Sequence, residues 1–467
     1  MIANQEYESD INNKIANSLA DVFQQAQKSY AGHRKHIAVL KKIQLKASQQ
    51  GYSDAFNYWF NKLVTSILPL KKNEVVGDRI VKLIAAFIAS LDKENEILRN
   101  ERAKVAEQNR ADPDSATDQD NDDDSTLTEK EKMTTKFIDV FIRHILRGIE
   151  SKDKNVRFRV MQSLVVIMDN IGEIDVNLYN LLLWSLNKRI YDKEPMVRIQ
   201  AVFCLTKLQT DGDDDEDMEE NKATDTLMQL IQNDPSADVR RATMLNIVNN
   251  EDTRAHILER ARDVNPINRR LIYSRVLKSM GKSCFSELNS KILDQLIQWG
   301  LEDREEHVRK ACQKLISQHW INLFDGDLIE LLERLDVSNS TCAVSVVNTL
   351  FKRKPEILTK VNFTEELWTE LTVESIFLFR CFFIYCLEND LVDDVDKNFP
   401  EATKLSNYMN NYISKRYDTK QGSSLSGLEK THLEFILEQL LLTANRYDYS
   451  DEVGSCLLYT SDAADEL

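Results

Sequence analysis

The residues of this sequence whose type and spacing could do chemistry are its cations, and the chemistry is neutralisation of phosphate. Lys71 and Lys72 stand side by side in a predicted inter-helix loop, PLKKNEVVGDR, and Arg79 closes the same run. Arg143, Arg147, Lys152, Lys154, Arg157 and Arg159 crowd the next basic stretch, and Lys188 and Arg189 follow in SLNKRIYDKEP. A third concentration runs from Arg254 to Lys282 and includes Arg269 and Arg270. A lysine pair in a turn also reads as an ordinary solvated turn, so composition leaves Lys71 and Lys72 open between the two readings.

The total charge speaks against a polyanionic partner: 60 Lys and Arg face 76 Asp and Glu, for a formal net charge of −16. The distribution points the other way. Residues 112–131 carry nine acids and one lysine, and residues 211–220 carry eight acids and no base. Residues 1–111 hold 17 bases against 12 acids, and residues 133–210 hold 12 against 8. An approaching ligand feels charge within a Debye length of about 8 Å at physiological salt, so the local balance decides.

Other chemistry finds no motif to rest on. The sequence has no phosphate-binding glycine loop, no His-Glu zinc helix and no nucleophile elbow, so it reads as a non-catalytic binding scaffold without a cofactor. His33 and His36 are three apart on one predicted helix face, but no cysteine or carboxylate cluster completes a metal site, and they read as surface or capping residues. The seven cysteines lack metal spacing, and Cys381 and Cys386 in FRCFFIYCL read as core thiols. That usage fits a reducing compartment, cytosol or nucleus. The opening MIANQEYESDINNK lacks signal-peptide character, and no run of about 18 apolar residues offers a membrane span.

The elements that must position these cations are announced by a repeat. It reads Asp153-Lys-Asn-Val156-Arg157, Asp192-Lys-Glu-Pro-Met-Val197-Arg198, Asp234-Pro-Ser-Ala-Asp-Val239-Arg240, Asp263-Val-Asn-Pro-Ile-Asn-Arg269 and Asp303-Arg-Glu-Glu-His-Val308-Arg309. The arginines step by 41, 42, 29 and 40 residues, and the seventh residue after each is aliphatic: Leu164, Leu205, Ile247, Val276 and Ile316. A period near forty with two helical segments per unit predicts an all-α HEAT-repeat solenoid, a curved superhelix whose units bury their apolar faces only by stacking. The Asp caps the second helix of a unit, Pro fits its first turn, Val faces the seam, and Arg bridges to the Asp of the next unit. This assigns Arg157, Arg198, Arg240 and Arg309 to a structural ladder, with the lining of a basic inner surface as the functional alternative.

The predicted organisation is HEAT repeats over 1–110, an acidic disordered insertion over 111–132, and further repeats over 133–410 interrupted by an acidic loop at 211–221. A linker over 411–427 and one more helix over 428–454 follow. Ser125, Thr126 and Thr128 lie among acids in the first insertion and are candidate phosphorylation sites. The stripe Phe56, Trp59, Phe60, Leu63 and Ile67 reads as core, and Trp368, Phe377, Phe379, Phe382 and Phe383 as packing. The stretch CLLYTSDAADE, 456–466, is similar to a sequencing-library adaptor translated in frame. Natural sequence is therefore expected to stop near Gly454 or Ser455, with the solenoid truncated there and 455–467 foreign to it.

Several long runs carry a family resemblance. PLKKNEVVGDRIVKLIAAFIASL (69–91), FIRHILRGIESKDKNVRFRV (141–160), VIMDNIGEID (166–175), SLNKRIYDKEPMVRIQAVFCLTK (185–207), IQNDPSADVRRATMLNIV (231–248), ILERARDVNPINRRLIYSRVLKSMG (257–281) and DGDLIELLERLDVS (325–338) resemble the HEAT subunit of eukaryotic condensin. The type is CAP-G, or condensin subunit 3, in a fungal form; the match is to its N-terminal half and spans about residues 10–454. The resemblance implies a regulatory subunit whose solenoid binds the kleisin subunit and, with it, holds double-stranded DNA in a positively charged groove without sequence specificity. ATP hydrolysis would belong to the SMC subunits, met indirectly through the complex. The implied role is chromosome condensation in mitosis and meiosis, in the nucleus and on chromosomes with a cytoplasmic pool. The resemblance points first to Lys71 and Lys72 as DNA-binding residues, because the Pro-Leu-Lys-Lys loop is where such proteins present basic residues to DNA. Arg79, Arg143, Arg147, Lys188, Arg189 and Arg270 follow as basic residues inside matching runs. The alternative is a HEAT-repeat scaffold or transport adaptor that binds only protein. Convergence of the basic residues of 34–82 and 143–189 on one surface would separate the two.

Overall fold

The computed structural model describes residues 2–110, 128–169, 175–208, 218–359, 361, 363, 365–368, 370–417 and 427–447, and among these every regular element is helical. They group into two units, residues 1–257 and 258–467. The first unit contains α1 (Ile2–Ala26), α2 (His33–Gln49), α3 (Ser53–Ile67), α4 (Val75–Arg110) and α5 (Glu129–Leu146). It continues with α6 (Lys154–Met168), α7 (Val176–Arg189), α8 (Pro195–Leu205), α9 (Met218–Asn233) and α10 (Ala237–Asn246). These alternate between two layers. In one, α1 packs on α3, α3 on α5 and α5 on α7; in the other, α2 packs on α4, α4 on α6, α6 on α8 and α8 on α10. Each pair is an antiparallel hairpin stacked on the next, the HEAT-repeat solenoid that the forty-residue period predicts.

After α11 (Glu251–Leu258), the second unit holds α12 (Pro266–Leu271), α13 (Leu277–Met280), α14 (Ser283–Glu287), α15 (Ser290–Leu301) and α16 (Glu306–Lys314). Then come α17 (Ile321–Leu323), α18 (Leu328–Arg334), α19 (Ala343–Arg353), α20 (Val373–Glu388), α21 (Val392–Asn398), α22 (Ala402–Tyr417) and α23 (Gly427–Ala444). Here α12 and α15 pack on α16, α16 on α19, α19 on α20 and α20 on α23. The same hairpin stacking therefore continues beyond the point where the sequence motif fades.

Local chemistry sets the helix starts. Asp153, Asp175, Asn265, Asn289 and Asp327 each accept a backbone N–H at the start of α6, α7, α12, α15 and α18, and Pro195 and Pro266 stand in first turns. The five aliphatic residues seven positions after the repeat arginines are all buried. The first unit's core is aromatic where α1, α3, α4 and α5 meet. Phe60 lies 5.4 Å from Phe23, 5.8 Å from Phe87 and 5.3 Å from Phe137, ring centre to ring centre. In the second unit Phe377, Phe379, Phe382 and Phe383 are buried, Trp368 stacks on Tyr408 at 4.5 Å, and Cys381 and Cys386 are core thiols.

Several boundaries differ from the sequence reading. Residues 129–132, read as part of a disordered insertion, form the first turn of α5. Thr128 and Glu131 make a capping box there, and acids at a helix start are favoured by the dipole, so a run that looks disordered by composition is an N-terminus. Residues 218–221 belong to α9, and 411–417 extend α22 rather than forming a linker. Trp59 and Leu63 are half-buried instead of core; the Lys62 ammonium lies 4.5 Å from the Trp59 ring centre. The rest of the acidic insertion with Ser125 and Thr126, the loop 211–217, residues 418–426 and the tail from 448 lie outside the described residues.

Candidate functional site

The arginine ladder forms as a repeated piece of geometry. Arg157 forks onto Asp192 through Nε and Nη2 at 2.8 and 3.0 Å, and Arg198 does the same to Asp234 at 2.8 and 2.8 Å. In the second unit Arg269 forks onto Asp303 at 2.7 and 2.9 Å. The third nitrogen, Nη1, turns back to the carbonyl six residues earlier: Ser151, Asp192, Asp234, Asp263 and Asp303 for Arg157, Arg198, Arg240, Arg269 and Arg309. The aspartates also accept the N–H two residues on, as Asp192 does from Glu194 and Asp303 from Glu305. This register corrects the first copy of the motif. Ser151, not Asp153, stands six before Arg157 and accepts the Asp153 N–H, while Asp153 is the cap of α6. Burial works against the ionised form of Asp192, but the Arg157 fork outweighs it and holds the carboxyl below its ordinary range; Arg269 does the same for Asp303. These guanidiniums are committed to the fold.

The turn between α3 and α4 is held differently. Arg159, two residues after a ladder arginine, is fully buried and reaches it from α6. Its Nε donates to the Leu70 carbonyl at 3.2 Å; its Nη2 donates to the carbonyls of Lys71 at 2.5 Å, Lys72 at 3.4 Å and Glu74 at 3.1 Å. Its Nη1 donates to Asp78 at 2.5 Å and to Gln162 at 2.8 Å, and Gln162 bonds Asp78 in turn. Gly77 makes the room: a Cβ there would lie 2.5 Å from the guanidinium carbon. On the outside of this pinned turn, Lys71 and Lys72 are exposed, and neither ammonium has a carboxylate partner among the described residues. The neighbouring Glu74 accepts the Lys71 backbone N–H at 3.3 Å.

The other basic residues divide. Arg147, at the end of α5, is exposed without an ion-pair partner among the described residues, and so are Lys152 and Lys193 in the next two intra-repeat turns. Arg143 pairs with Asp139 through Nε at 2.8 and 3.0 Å on an exposed face, and Lys188 pairs with Glu150 while lying 4.6 Å from the Trp184 ring. Exposed pairs of this kind contribute only about 0–1 kcal/mol and yield readily to a stronger anion. Arg79 and Arg189 serve the fold: Arg79 donates to the Gln27 carbonyl at 2.6 Å, and Arg189 donates to Asp192 at 2.7 Å. Arg270 on α12 is exposed and has no ion-pair partner among the described residues. Within the first unit, the turns at 68–74, 147–153 and 190–194 follow one another along one edge, tied by Arg159, by Arg157–Asp192 and by Lys188–Glu150. Lys71, Lys72, Arg147, Lys152 and Lys193 thus share that edge. Such an edge can neutralise a row of phosphates. Among the described residues there is no group of three or more His, Cys, Asp or Glu able to hold a metal, and no helix long and apolar enough to cross a membrane.

Sequence reasoning placed Arg159 in the basic crowd but missed its task. The signal was its offset of two from Arg157. Two residues turn a helix by about 200°, so if Arg157 faces forward to the next turn, Arg159 faces back to the previous one.

No family model matches the chain. It is similar to condensin complex subunit 3 of Saccharomyces cerevisiae, 58% identical over 453 residues that cover 95% of this chain and 42% of that protein. The Schizosaccharomyces pombe protein of the same description is 34% identical, covering 94% of this chain and 43% of its own length. The crystal structure of the S. pombe condensin Cnd3-Cnd2 subcomplex superposes with a TM-score of 0.73 at 32% identity, covering 96% of this chain and 51% of that one. The chain therefore spans about two-fifths of the length of the curated relatives it matches.

Proposed function

This chain belongs to the condensin complex subunit 3 family, and from that premise we propose that it acts as a non-catalytic condensin subunit that binds the kleisin and, with it, duplex DNA without reading sequence. The observation that carries the DNA part is the pinned α3–α4 turn, whose fixed backbone bears two adjacent, exposed lysines that have no carboxylate partner among the described residues. Arg147, Lys152 and Lys193 continue the same edge, and Arg143 and Lys188 join by exchanging weak exposed pairs for phosphate; Arg270, in the second unit, is a separate candidate phosphate contact. Arg79 and Arg189 contribute their field from inside the fold. Cations on successive turns follow a phosphate backbone and release its counterions, so affinity is steeply salt-dependent and carries little sequence information. The kleisin assignment is supported by the similarity to a solved Cnd3-Cnd2 pair; a stacked-hairpin solenoid offers an extended partner a long surface of successive repeats. The SMC subunits are met through the complex, and the site of action is the chromosome in the nucleus.

The test is a salt titration of duplex binding by the full chain, with and without a kleisin segment, comparing the native protein with Lys71→Glu plus Lys72→Glu. The expected result is weaker binding with a log–log salt slope shallower by about 0.9 per lost contact, so about 2 for the pair. Equal affinity and equal slope in both proteins would remove the turn from the interface, and no binding in either would favour a protein-only scaffold.

A further inference from the structure

Between Asp21 and Asp54 the chain carries no acidic residue, although acids outnumber bases over the whole sequence. That stretch is the α1–α2 turn and all of α2, and it contains Lys28, Arg34, Lys35, Lys41, Lys42 and Lys46. Lys41 alone of these meets a carboxylate, Glu94 at 2.5 Å; the other five are exposed and unpaired among the described residues. At 100° and about 1.5 Å per residue, Lys35, Lys42 and Lys46 fall on one side of the helix over roughly 16 Å.

Tyr30 sits between the start of α2 and the first turns of α4. Its half-exposed ring lies 4.8 Å from the Lys82 ammonium, 5.7 Å from the Arg79 guanidinium and 5.4 Å from the His33 ring. Arg79 is anchored on the carbonyl of Gln27, at the end of α1. Arg79 and Lys82 sit in the first turns of α4, which starts directly after the lysine turn. A ring face holds cations in place without cancelling their charge, as a carboxylate would.

We infer that the acid-free face of α2 is a second phosphate-backbone contact for duplex DNA, extended toward the Lys71–Lys72 turn by the Arg79 and Lys82 cations that the Tyr30 ring holds at the start of α4. The inference rests on the proposed function and extends it to a helix face. Its exposed charged groups are all long-chain cations strung along a helix, with exposed Val39 and Leu45 between them; a row of cations with no acid suits a continuous row of phosphates better than the few carboxylates of a peptide.

The experiment uses the full chain and a short duplex. Arg34→Gln, Lys35→Gln, Lys42→Gln and Lys46→Gln are combined, since glutamine keeps the helix propensity and removes the charge. The expected result is a salt slope shallower by about 2–4, additive with the loss from Lys71→Glu plus Lys72→Glu. Tyr30→Leu should lower affinity several-fold and flatten the slope, and Tyr30→Phe, which keeps the ring, should restore both. A glutamine variant that melts like the native chain and keeps its slope, while the lysine-turn variant loses slope, overturns this inference and leaves the turn reading standing. The opposite pattern upholds the α2 face and removes the turn. Unchanged slopes in both sink both readings, and competition by polyglutamate as strong as by duplex of equal charge overturns DNA as the partner.

Discussion

Two turns of the first unit do the same structural job by different means. At the α7–α8 turn, Asp192 accepts a fork from Arg157 and a further bond from Arg189, Glu194 lies 3.6 Å from Lys154, and Glu150 meets Lys188. Every cation there except Lys193 has a carboxylate. At the α3–α4 turn, Arg159 reads backbone carbonyls, and its charge is balanced by Asp78 inside α4 rather than by an acid at the turn. The turn is equally fixed, but Lys71 and Lys72 remain uncompensated on its outer side. A solenoid can thus be neutral at one turn and cationic at the next with the same backbone, depending on whether the pinning arginine is answered by a side chain or by carbonyls.

The largest expected effect breaks the comparison at its buried end. Arg159→Met strands four carbonyls and leaves Asp78 without its cation; Arg198→Met leaves Asp234 alone. Leaving buried Asp234 without its cation costs about 3–5 kcal/mol; Asp78 is partly exposed and keeps Gln162, so the cost of Arg159→Met comes mainly from the stranded carbonyls, at about 1–3 kcal/mol for each left unsatisfied, and both variants should shift urea unfolding of the first unit. Only Arg159→Met should also flatten the salt slope of duplex binding under conditions where the protein stays folded, because only that arginine shapes the lysine turn. Equal slopes in the two variants would show that the turn needs no pinning to engage phosphate.

A smaller effect tests the ladder side. Asp192→Asn keeps the shape but leaves the Arg157 and Arg189 guanidiniums without a charge partner, at a cost on the order of 2–3 kcal/mol. The native carboxyl is held below its unfolded value of about 3.9, so its contribution is complete above that value and is lost as pH falls through the depressed native one. Melting temperatures of native and variant should therefore differ most near neutrality and converge as the solution is acidified below about pH 4. A gap that persists undiminished in acid would mean that shape, not charge, holds this turn. Duplex binding should not weaken on the substitution, because it removes an acid and no cation.

The contrast explains what could be read from the chain alone. The ladder was legible because one Asp–Arg pair per forty residues recurs with its aliphatic partner: Arg157 and Arg198 reach the next repeat's Asp as read, Arg269 does so although the ladder assignment left it out, and Arg309 bonds only the Asp303 and Arg304 carbonyls among the described residues. The lysine pair was legible as an adjacent pair in a loop. Arg159 was not, because its partners are carbonyls, which leave no trace in residue identity, and because it acts once rather than in every repeat. The start of α5 was hidden for a related reason: the acids that suggest disorder are the ones that a helix N-terminus attracts. Trp59 looked like core because a helical stripe does not reveal which flank of the stripe a neighbouring helix leaves uncovered.

The finest way to sharpen the comparison leaves every charge in place. Gly77→Ala adds one methyl group, whose carbon would lie 2.5 Å from the Arg159 guanidinium carbon and 2.7 Å from Nη2. The guanidinium sits among carbonyls that it must reach from one direction, so it has little room to yield, and overpacking of this kind costs about 1–2 kcal/mol. Alanine also favours the helix over glycine by up to about 1 kcal/mol, so the net shift in urea unfolding should be small. The substitution therefore separates stability from position. If the lysine turn depends on where Arg159 places the carbonyls of 70–74, Gly77→Ala should weaken duplex binding about as much as it displaces that turn, with the number of phosphate contacts and hence the salt slope nearly unchanged. Crystallography or amide exchange at residues 70–74 would report the displacement. A displaced turn with native affinity would show that two flexible ammonium groups reach phosphate from either position, and the pinned turn would then matter for the fold alone.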